Sequence, residues 1–456
     1  MTGWNIHSSR RSILKYALAG SCAGFLKPLS AAVEAAGSIE GVYPDELLSI
    51  EEYTRGKIST GAYIDASNVE AVKDLLEPAK FHHVKNMGRR LKLLPTTTDW
   101  MRLGPWEYLE ATLSNRGKAR FDDSGNVVND DGRPWIGGHP FPGTTNALEL
   151  FAGLTLSWGR HDSSLYAMRE YDISRGGIVD YEYDLVWAEL SPVGRLVSDP
   201  KPYWPEHEDK LRFNTVVYLS PNTERGASYL NIWPYDQNKF PTLYGYVPSF
   251  RRIRQFPTNQ RFEPLVPGSA LYLSDAWAAG DPLLTWGNYK VIGRQPLLGG
   301  VSGGWNSSHS NWEHGVHGGE KGESFFDSVV ELIPETIVCE AEPVAFSRAP
   351  VSKKRVWFDA RNGMPVAMVT YDRKGNPFRS FDGCYSIYDD GNRRVMDGKH
   401  AYWSWTYLHA YEFQSGRITR IEQVKELDGG HWSRANDQSI YDEYLTQAAL
   451  QRLGRD

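Results

Sequence analysis

The stretch that decides the fold spans residues 354–388 and reads KRVWFDARNGMPVAMVTYDRKGNPFRSFDGCYSIY. Three runs rich in β-branched and aromatic residues, Lys354–Asp359, Met364–Tyr371 and Phe378–Tyr388, are separated by two short polar segments. The first of these contains Asn362-Gly363, the dipeptide that most strongly indicates a tight β-hairpin turn. The stretch therefore predicts three consecutive antiparallel strands.

The pattern continues on both sides of this stretch. Ala401–Phe413 and Ile418–Val424 flank the turn formers Gln414-Ser415-Gly416-Arg417 and extend the prediction to a five-stranded meander. Similar apolar runs recur upstream, at Ile178–Glu189, Phe213–Leu219, Ala227–Pro234 and Leu243–Pro248. With 43 glycines and 26 prolines supplying turns, the chain is predicted to be mainly β (α+β), built on a large antiparallel sheet.

Three segments have helical spacing of apolar residues. A helix is predicted over Asn68–Leu94, interrupted at Pro78, and another over Ala147–Trp158. A short helix is predicted near the C-terminus, at Tyr441–Leu453. Residues 258–325 are rich in Gly, Ser and Trp without clear periodicity, which predicts a long loop or a lid.

The N-terminal 37 residues have the layout of an export signal. Ser9-Arg10-Arg11-Ser12-Ile13-Leu14-Lys15 precedes an apolar segment at Tyr16–Leu26, and small residues follow where a signal peptidase could cut. This pattern is typical of a twin-arginine signal and predicts a periplasmic protein. A frayed N-terminal helix that carries Arg-Arg remains the alternative. The apolar segment is too short for a permanent membrane span, and no other segment is apolar enough to be one.

Composition excludes several classes of protein. The net charge is −6 and no Lys/Arg-rich block occurs, which disfavours a nucleic-acid partner. Walker and dinucleotide-binding motifs are missing, and no cofactor and no enzymatic activity are predicted. Two cysteines, Cys339 and Cys384, remain after signal removal. They form either one disulfide in an oxidising periplasm or two buried thiols.

The best candidate for a metal site is the group His309, His314 and His317, which lies beside Glu313. Imidazole side chains bind zinc and copper. The spacing His-x4-His-x2-His matches no established zinc motif, and exposed histidines are common in polar loops. A metal site is therefore the alternative hypothesis rather than the main one.

Large aromatic residues form the more informative pattern. They lie in or beside the alternating runs at Trp158, Trp187, Tyr218, Trp233, Tyr246, Trp357, Trp403 and Trp405. A curved sheet can bury such a face under helices or leave a groove for an apolar ligand. Spacing alone leaves both possibilities open.

Three short segments carry a resemblance to a known family: Gly138–Pro142 with the following Asn146–Glu149, Tyr246–Arg254 and Tyr411–Arg417. In these the chain resembles the bacterial family called domain of unknown function thirteen twenty-nine, whose members look like LolA/LolB-type proteins of outer-membrane lipoprotein sorting. The resemblance implies an unclosed half-barrel with helices packed on its concave side. It also implies handling of lipids or other hydrophobic compounds, in association with resistance-nodulation-division exporters.

The domain organisation expected on this basis has four parts. They are a signal peptide (1–37), a helical and loop-rich region (38–135), the half-barrel (136–430) and a C-terminal tail (431–456). The leading functional hypothesis is a periplasmic carrier or accessory protein that binds a lipid-like ligand. A metal-binding protein or metalloenzyme and a structural envelope protein with a filled interior are the alternatives.

Overall fold

The computed structural model describes residues 39, 41–157, 159–258, 261–264, 266–272, 274, 281–301, 305, 309–314, 325–388 and 401–455. The predicted signal segment therefore lies outside the described residues. The α-helices are α1 (Asp45–Leu48), α2 (Ile50–Thr54), α3 (Pro78–Asn86), α4 (Trp106–Ser114), α5 (Ala147–Ser157), α6 (Ser439–Tyr444) and α7 (Gln447–Leu453). Short 3-10 helices occur at Val69–Leu75, Trp100–Arg102, Pro248–Phe250 and Leu283–Thr285. Within the described part of the chain, no helix has the length and apolar character needed to cross a bilayer.

The rest of the regular secondary structure consists of twenty described strands. In order they are β1 (Tyr63–Ile64), β2 (Leu91–Leu94), β3 (Arg120–Phe121), β4 (Val127–Val128), β5 (Ser163–Ile173), β6 (Val179–Leu190), β7 (Lys210–Ser220), β8 (Ser228–Pro234), β9 (Thr242–Val247), β10 (Arg252–Phe256), β11 (Gly287–Gly299), β12 (Ser328–Glu342), β13 (Val351–Asp359), β14 (Pro365–Asp372), β15 (Pro377–Tyr388), β16 (Tyr402–Glu412), β17 (Ile418–Val424), β18 (Glu426–Leu427), β19 (His431–Trp432) and β20 (Arg434–Ala435).

Sixteen of the described strands form one sheet, whose main path runs β1-β2-β12-β13-β14-β15-β16-β17-β5-β6-β7-β8-β9-β10. Strand β11 also pairs with β12, and β20 with β5. The neighbours are antiparallel except β2 and β12, which run parallel. Because the outermost described strands β1 and β10 do not pair with each other, the sheet is not closed into a barrel. The predicted mainly-β fold with an unclosed sheet is confirmed, and the sheet is mixed rather than purely antiparallel.

The predicted meander is present as strands β13 to β17. Its first turn closes through hydrogen bonds from the Gly363 and Asp359 amides to the carbonyls of Asp359 and Met364. Gly363 has a φ of 73°, and a Cβ at this position would lie 2.7 Å from His139 Nε2. The turn thus requires glycine both for its backbone conformation and for its close approach to the neighbouring loop.

Three elements differ from the sequence predictions. The stretch expected to be helical to Leu94 ends in strand β2, where buried Leu91 and Leu93 alternate with exposed Lys92. Residues 38–135 thereby contribute two strands, β1 and β2, to one end of the main sheet. The segment expected to be an irregular loop contains the long strand β11, which Pro296 interrupts at a β-bulge. Strand β5 was not anticipated, because acidic residues occupy alternate positions in its second half.

Both faces of the sheet are buried. We call the face that carries Met168 and Leu185 the inner face, since α5 packs on it and the Phe151 ring lies 5.1 Å from that of Phe358. Ala167 and Val186, one residue along each strand, lie on the outer face under α6 and α7. Helix α3 also packs on the outer face. The helices are therefore divided between the two faces instead of gathering on one.

The two cysteines are free and buried. Cys339 lies on β12 and Cys384 on β15, and two strands separate them. At about 4.8 Å per strand spacing, their Cα atoms are too far apart for a disulfide. Burial raises the pKa of both thiols to about 12. The alternative of two buried thiols is the one that the structure supports.

The basic residues of β10 lie on the edge of the sheet. Arg252 and Arg254 are exposed on this strand, which pairs with β9 alone among the described strands. Charged residues on an edge strand discourage pairing with other chains.

A buried ion cluster joins α3 to the outer face. Lys80 Nζ lies 3.0 Å from Asp382 Oδ1, and Arg89 Nη1 lies 2.7 Å from Asp382 Oδ2. Lys80 also donates to the Leu298 carbonyl at 3.1 Å. Burial alone would raise the pKa of Asp382, but the two cations outweigh it and hold the pKa far below its usual value.

Removing the carboxylate of this cluster should unfold the protein more easily. Asp382→Ala leaves two cations buried without a counter-charge, which we expect to lower the free energy of unfolding by about 3–5 kcal/mol. The control is Asp327→Ala, which breaks the exposed pair between Asp327 and Arg90 and should cost about 1 kcal/mol or less. Urea unfolding of both variants measures the difference. Equal small losses would show that the cluster does not anchor α3.

Candidate functional site

The inner face of β5, β6 and β7 presents two adjoining rows of large side chains. Leu185 on β6 is paired with Met168 on β5 and with Tyr218 on β7. Two residues further along β6, Trp187 is paired with Tyr166 and Val216. Because side chains on one face recur every second residue, the antiparallel register builds a continuous apolar surface from residues distant in sequence.

Residues 266–272, which we call the covering segment, lie over part of this surface. Tyr183 Oη donates to the Pro267 carbonyl at 3.1 Å, and Arg417 Nε donates to the Gly268 carbonyl at 3.2 Å. The Ala270 amide donates to Thr419 Oγ1 at 2.6 Å. Gly268 has a φ of 88°, and a Cβ there would lie 2.5 Å from the ring of Tyr181. The segment is thus fastened to the sheet through its own backbone.

A cleft lies between the covering segment and the sheet. It contains about 500 Å³ that protein atoms do not occupy, and part of this space is open to solvent. The described residues that line it are Met168, Glu170, Leu185, Trp187, Val216, Tyr218, Leu271, Tyr272, Phe381, Leu408 and Ile421. Ten of these are apolar or aromatic, and Glu170 is the one carboxylic acid among them.

Glu170 is buried without a compensating cation in this lining. Its side chain lies in a residue that is only 3% exposed, and its Oε1 accepts no hydrogen bond from the described residues. Burial raises the pKa of Glu170 well above its usual value, and the nearby charge of Asp172 raises it further. The hydroxyl of Ser269 on the covering segment offsets this rise in part. Burial therefore favours the protonated form of Glu170 when the cleft is empty.

Asp172 is the second inner-facing acid of β5 and is fully buried. Its Oδ1 accepts a short hydrogen bond from Thr419 Oγ1, the same hydroxyl that receives the Ala270 amide. Burial raises the pKa of Asp172 to about 7, although Thr419 and the charge of Arg417 oppose the shift. Asp172 thus supports the attachment of the covering segment, whereas Glu170 faces the cleft.

The eight predicted groove residues lie in different parts of the structure. Trp187 and Tyr218 line the cleft. Trp403 and Trp405 pack in the inner-face core, where Trp403 stacks on Tyr385 and Trp405 contacts Tyr166 edge-on.

The other predicted groove residues lie elsewhere. Trp233 belongs to a separate cluster, in which its Nε1 donates to Asn214 Oδ1. Tyr246 and Trp357 are on the outer face, because each occupies a strand position of the opposite parity. Trp158 lies outside the described residues.

The histidines of the metal hypothesis do not form a cluster among the described residues. His309 Nδ1 accepts from the Asn311 amide at 3.2 Å, and its Nε2 lies 3.8 Å from Glu313. His314 packs against the rings of Phe326 and Tyr407. His317 lies outside the described residues. Among the residues that the structure describes, no group of three His, Cys, Asp or Glu side chains is placed to hold a metal ion.

Most of the residues that line the cleft could not be predicted from the sequence. Met168 and Glu170 belong to the strand that was not anticipated, and Leu271 and Tyr272 come from a loop about 100 residues further along the chain. The available signal was the alternation of Tyr166, Met168, Glu170 and Asp172, which places acids on an otherwise apolar face.

A second space of about 570 Å³ lies between α4, residues 135–138 and the adjoining ends of β6 and β7. Its walls carry Arg160, Asp162, Glu189 and Arg212. Asp162 accepts from the backbone amides of Leu196, Val197 and Ser198 at 2.7–2.8 Å. Arg160 donates to the Asn362 carbonyl. Asp162 and Arg160 thus hold loops in place, and we take the apolar cleft as the candidate site.

The raised pKa of Asp172 predicts a pH-dependent cost to folding. Between about pH 4 and pH 7 the folded state keeps a proton that the unfolded state releases, so wild-type stability falls as pH rises. Asp172→Asn preserves an acceptor for Thr419 and removes this proton. The variant should therefore gain roughly 1–3 kcal/mol relative to wild type from pH 4 to pH 7.

Urea unfolding at several pH values measures that gain. Asp130→Asn, at an exposed loop position, is the matched control and should follow the wild-type profile. A constant difference between Asp172→Asn and wild type across this range would contradict the assignment.

Solved structures and one family model are similar to this chain. Two solved structures are similar to this chain, each at 14% identity: a DUF1329 family protein from Desulfovibrio piger and a LolA superfamily protein from Nitrosomonas europaea. The first covers 67% of this chain and 97% of its own, with a TM-score of 0.43. The second covers 62% and 94%, with a TM-score of 0.32. No curated protein matches the sequence. The family model described as "Protein of unknown function (DUF1329)" matches residues 63–451, and the chain therefore belongs to this family.

Proposed function

We propose that this protein is a periplasmic carrier or accessory protein that binds a hydrophobic, lipid-like ligand in the cleft between the covering segment and the inner face. The observation that carries the proposal is the cleft itself, an apolar space of about 500 Å³ beneath a loop. The twin-arginine pattern around Arg10 and Arg11 supports export to the periplasm. The resemblance to LolA/LolB-type proteins supports a ligand of lipid character.

The energetics of an alkyl chain fit this site. Burial of each methylene contributes about 0.8 kcal/mol, so a chain of about ten methylenes gains roughly 8 kcal/mol before ordering costs. Loss of translational and side-chain freedom offsets a substantial part of this gain. A dissociation constant in the micromolar range, about −8 kcal/mol, therefore needs some polar contribution in addition to the alkyl chain.

Movement of the covering segment would widen the opening of the cleft to a ligand. It is held by backbone hydrogen bonds to Tyr183, Arg417 and Thr419, each of which contributes about 1 kcal/mol net. The free energy needed to break these bonds is small compared with the stability of a domain. We therefore propose that residues 266–272 act as the lid over the cleft.

We propose binding rather than catalysis, because the described lining offers a single carboxyl group among apolar and aromatic side chains. A hydrolytic or transfer site needs a nucleophile or base in contact with a second polar group. We further propose that a resistance-nodulation-division exporter receives the ligand, as the family resemblance implies. Co-purification of a tagged protein with such an exporter from detergent-solubilised envelopes tests this step, and its repeated failure under cross-linking would remove the exporter.

Filling the cleft should abolish ligand binding without unfolding the protein. Val216 lines the cleft, so the indole of Val216→Trp would occupy the space that an alkyl chain needs. We expect at least a tenfold loss of affinity for the neutral probe N-phenyl-1-naphthylamine, measured by its fluorescence. The matched control, Val344→Trp, places the same side chain at a position that is 56% exposed and should bind as wild type does.

The outcomes separate the competing functions. Undiminished binding by Val216→Trp would place the ligand elsewhere. If neither the probe nor any co-purifying lipid binds wild type, the carrier function is wrong and a structural envelope protein remains. Stoichiometric zinc or copper in protein purified without chelator, lost in His314→Ala, would instead favour the metal-binding alternative.

A further inference from the structure

An acid at the base of an apolar cleft is costly unless something compensates it. Burying a carboxyl group without full hydrogen bonding disfavours folding, and an apolar residue of similar size would avoid that cost. Glu170 is almost completely buried, and its Oε1 has no hydrogen-bond partner among the described residues. It faces the space that the proposed ligand would fill.

The charged and titratable groups around Glu170 do not neutralise it. Asp172, on the same strand, adds negative charge, and Ser269 of the covering segment offers a hydroxyl. Burial raises the pKa of Tyr218 of β7, and the neighbouring Glu170 raises it further. Arg379 of β15 stacks on the Tyr272 ring, 3.5 Å from its centroid, and is not part of the described cleft lining. Arg417, which directly precedes β17, pairs with Asp180, and its charge lowers the pKa of Asp172.

Aromatic rings surround the same space. Trp187, Tyr218, Tyr272 and Phe381 all line the cleft together with Glu170. The faces of such rings attract ammonium groups, most strongly when water is excluded. A carboxyl group beside several aromatic rings is an arrangement that recognises an organic cation.

We propose that the cleft binds a cationic amphiphile, an alkyl chain that carries a protonated amine, and that the ammonium group pairs with Glu170. The inference rests on the carrier function and specifies the chemical class of its ligand. The alkyl chain lies along Leu185, Leu408 and Ile421, and the head group lies at the Glu170 end of the cleft. On binding, Glu170 releases its proton to solvent and the carboxylate forms an ion pair with the ammonium.

The two acids of β5 thereby have different tasks. Asp172 is engaged by Thr419 and keeps the covering segment in place. Each acid has one oxygen without a hydrogen bond from the described residues, but of the two only Glu170 lines the cleft, where a ligand can reach it. An anionic amphiphile such as a fatty acid would bring a third carboxylate next to these two, and like charges in a low dielectric repel strongly. The structure therefore disfavours free fatty acids as ligands.

The test compares three ligands with the same chain and different head groups: decylamine, 1-decanol and decanoate. Their dissociation constants are measured at pH 7 by displacement of N-phenyl-1-naphthylamine. We expect decylamine to bind at least tenfold more tightly than decanol, and decanoate to bind most weakly. Calorimetry of decylamine binding in two buffers of different ionisation enthalpy should show the release of about one proton from wild-type protein.

The variant Glu170→Gln keeps the shape of the side chain and removes the charge. It should lose at least tenfold in affinity for decylamine, release no proton, and lose less for decanol, whose hydroxyl can bond to either side chain. Glu182→Gln, at an exposed position on β6, is the matched control and should behave as wild type with all three ligands.

Each failure has a distinct meaning. Equal wild-type affinity for the three ligands, or unchanged decylamine binding by Glu170→Gln, overturns the cationic head group while leaving the carrier function in place. If none of the ligands and no probe binds to wild type, the carrier function fails as well. Should Glu170→Gln not fold, the wild-type affinity order and proton release still decide the question.

Discussion

The need to cover both faces of one very large sheet governs the structure. The pleat of each strand sends alternate side chains to opposite faces, and in this chain both sets are largely apolar. Helices α3, α6 and α7 cover the outer face, while α5 covers only part of the inner face. The rest of the inner face is left to a loop. A loop covers apolar side chains less completely than a helix, and the cleft lies where that covering is incomplete.

Buried charges distinguish the two faces. On the outer face Asp382 is neutralised by Lys80 and Arg89. In the turn that follows β13, Arg361 is paired with both Asp359 and Glu331. These groups form closed sets in which each charge has an opposite partner, so they fix the position of α3 and of the N-terminal strands. Glu170 has no such partner in the described part of the chain. The contrast within one molecule identifies this acid as a group whose function lies outside the folding of the chain.

Local patterns in the sequence were sufficient for the meander. Asn362-Gly363 and the alternating runs on either side of it define β13 and β14 without reference to the rest of the chain. The cleft could not be predicted in the same way, because its register joins Met168, Leu185 and Tyr218 across three strands. Its remaining wall, Leu271 and Tyr272, comes from a segment without periodicity. The aromatic pattern included Trp187 and Tyr218, which line the cleft, but it could not distinguish them from Tyr246 and Trp357, because the face on which a residue lies depends on tertiary packing.

The central claim is that native side chains leave space between Leu271 and Trp187 that an alkyl chain can enter. The most direct measurement is a crystal structure of the protein soaked with 10-bromo-1-decanol, in which anomalous scattering locates the bromine. The account predicts a bromine peak inside the cleft, in contact with the inner-face residues of β6 and the covering segment. A cleft filled by its own side chains, or bromine bound only elsewhere on the molecule, would contradict it.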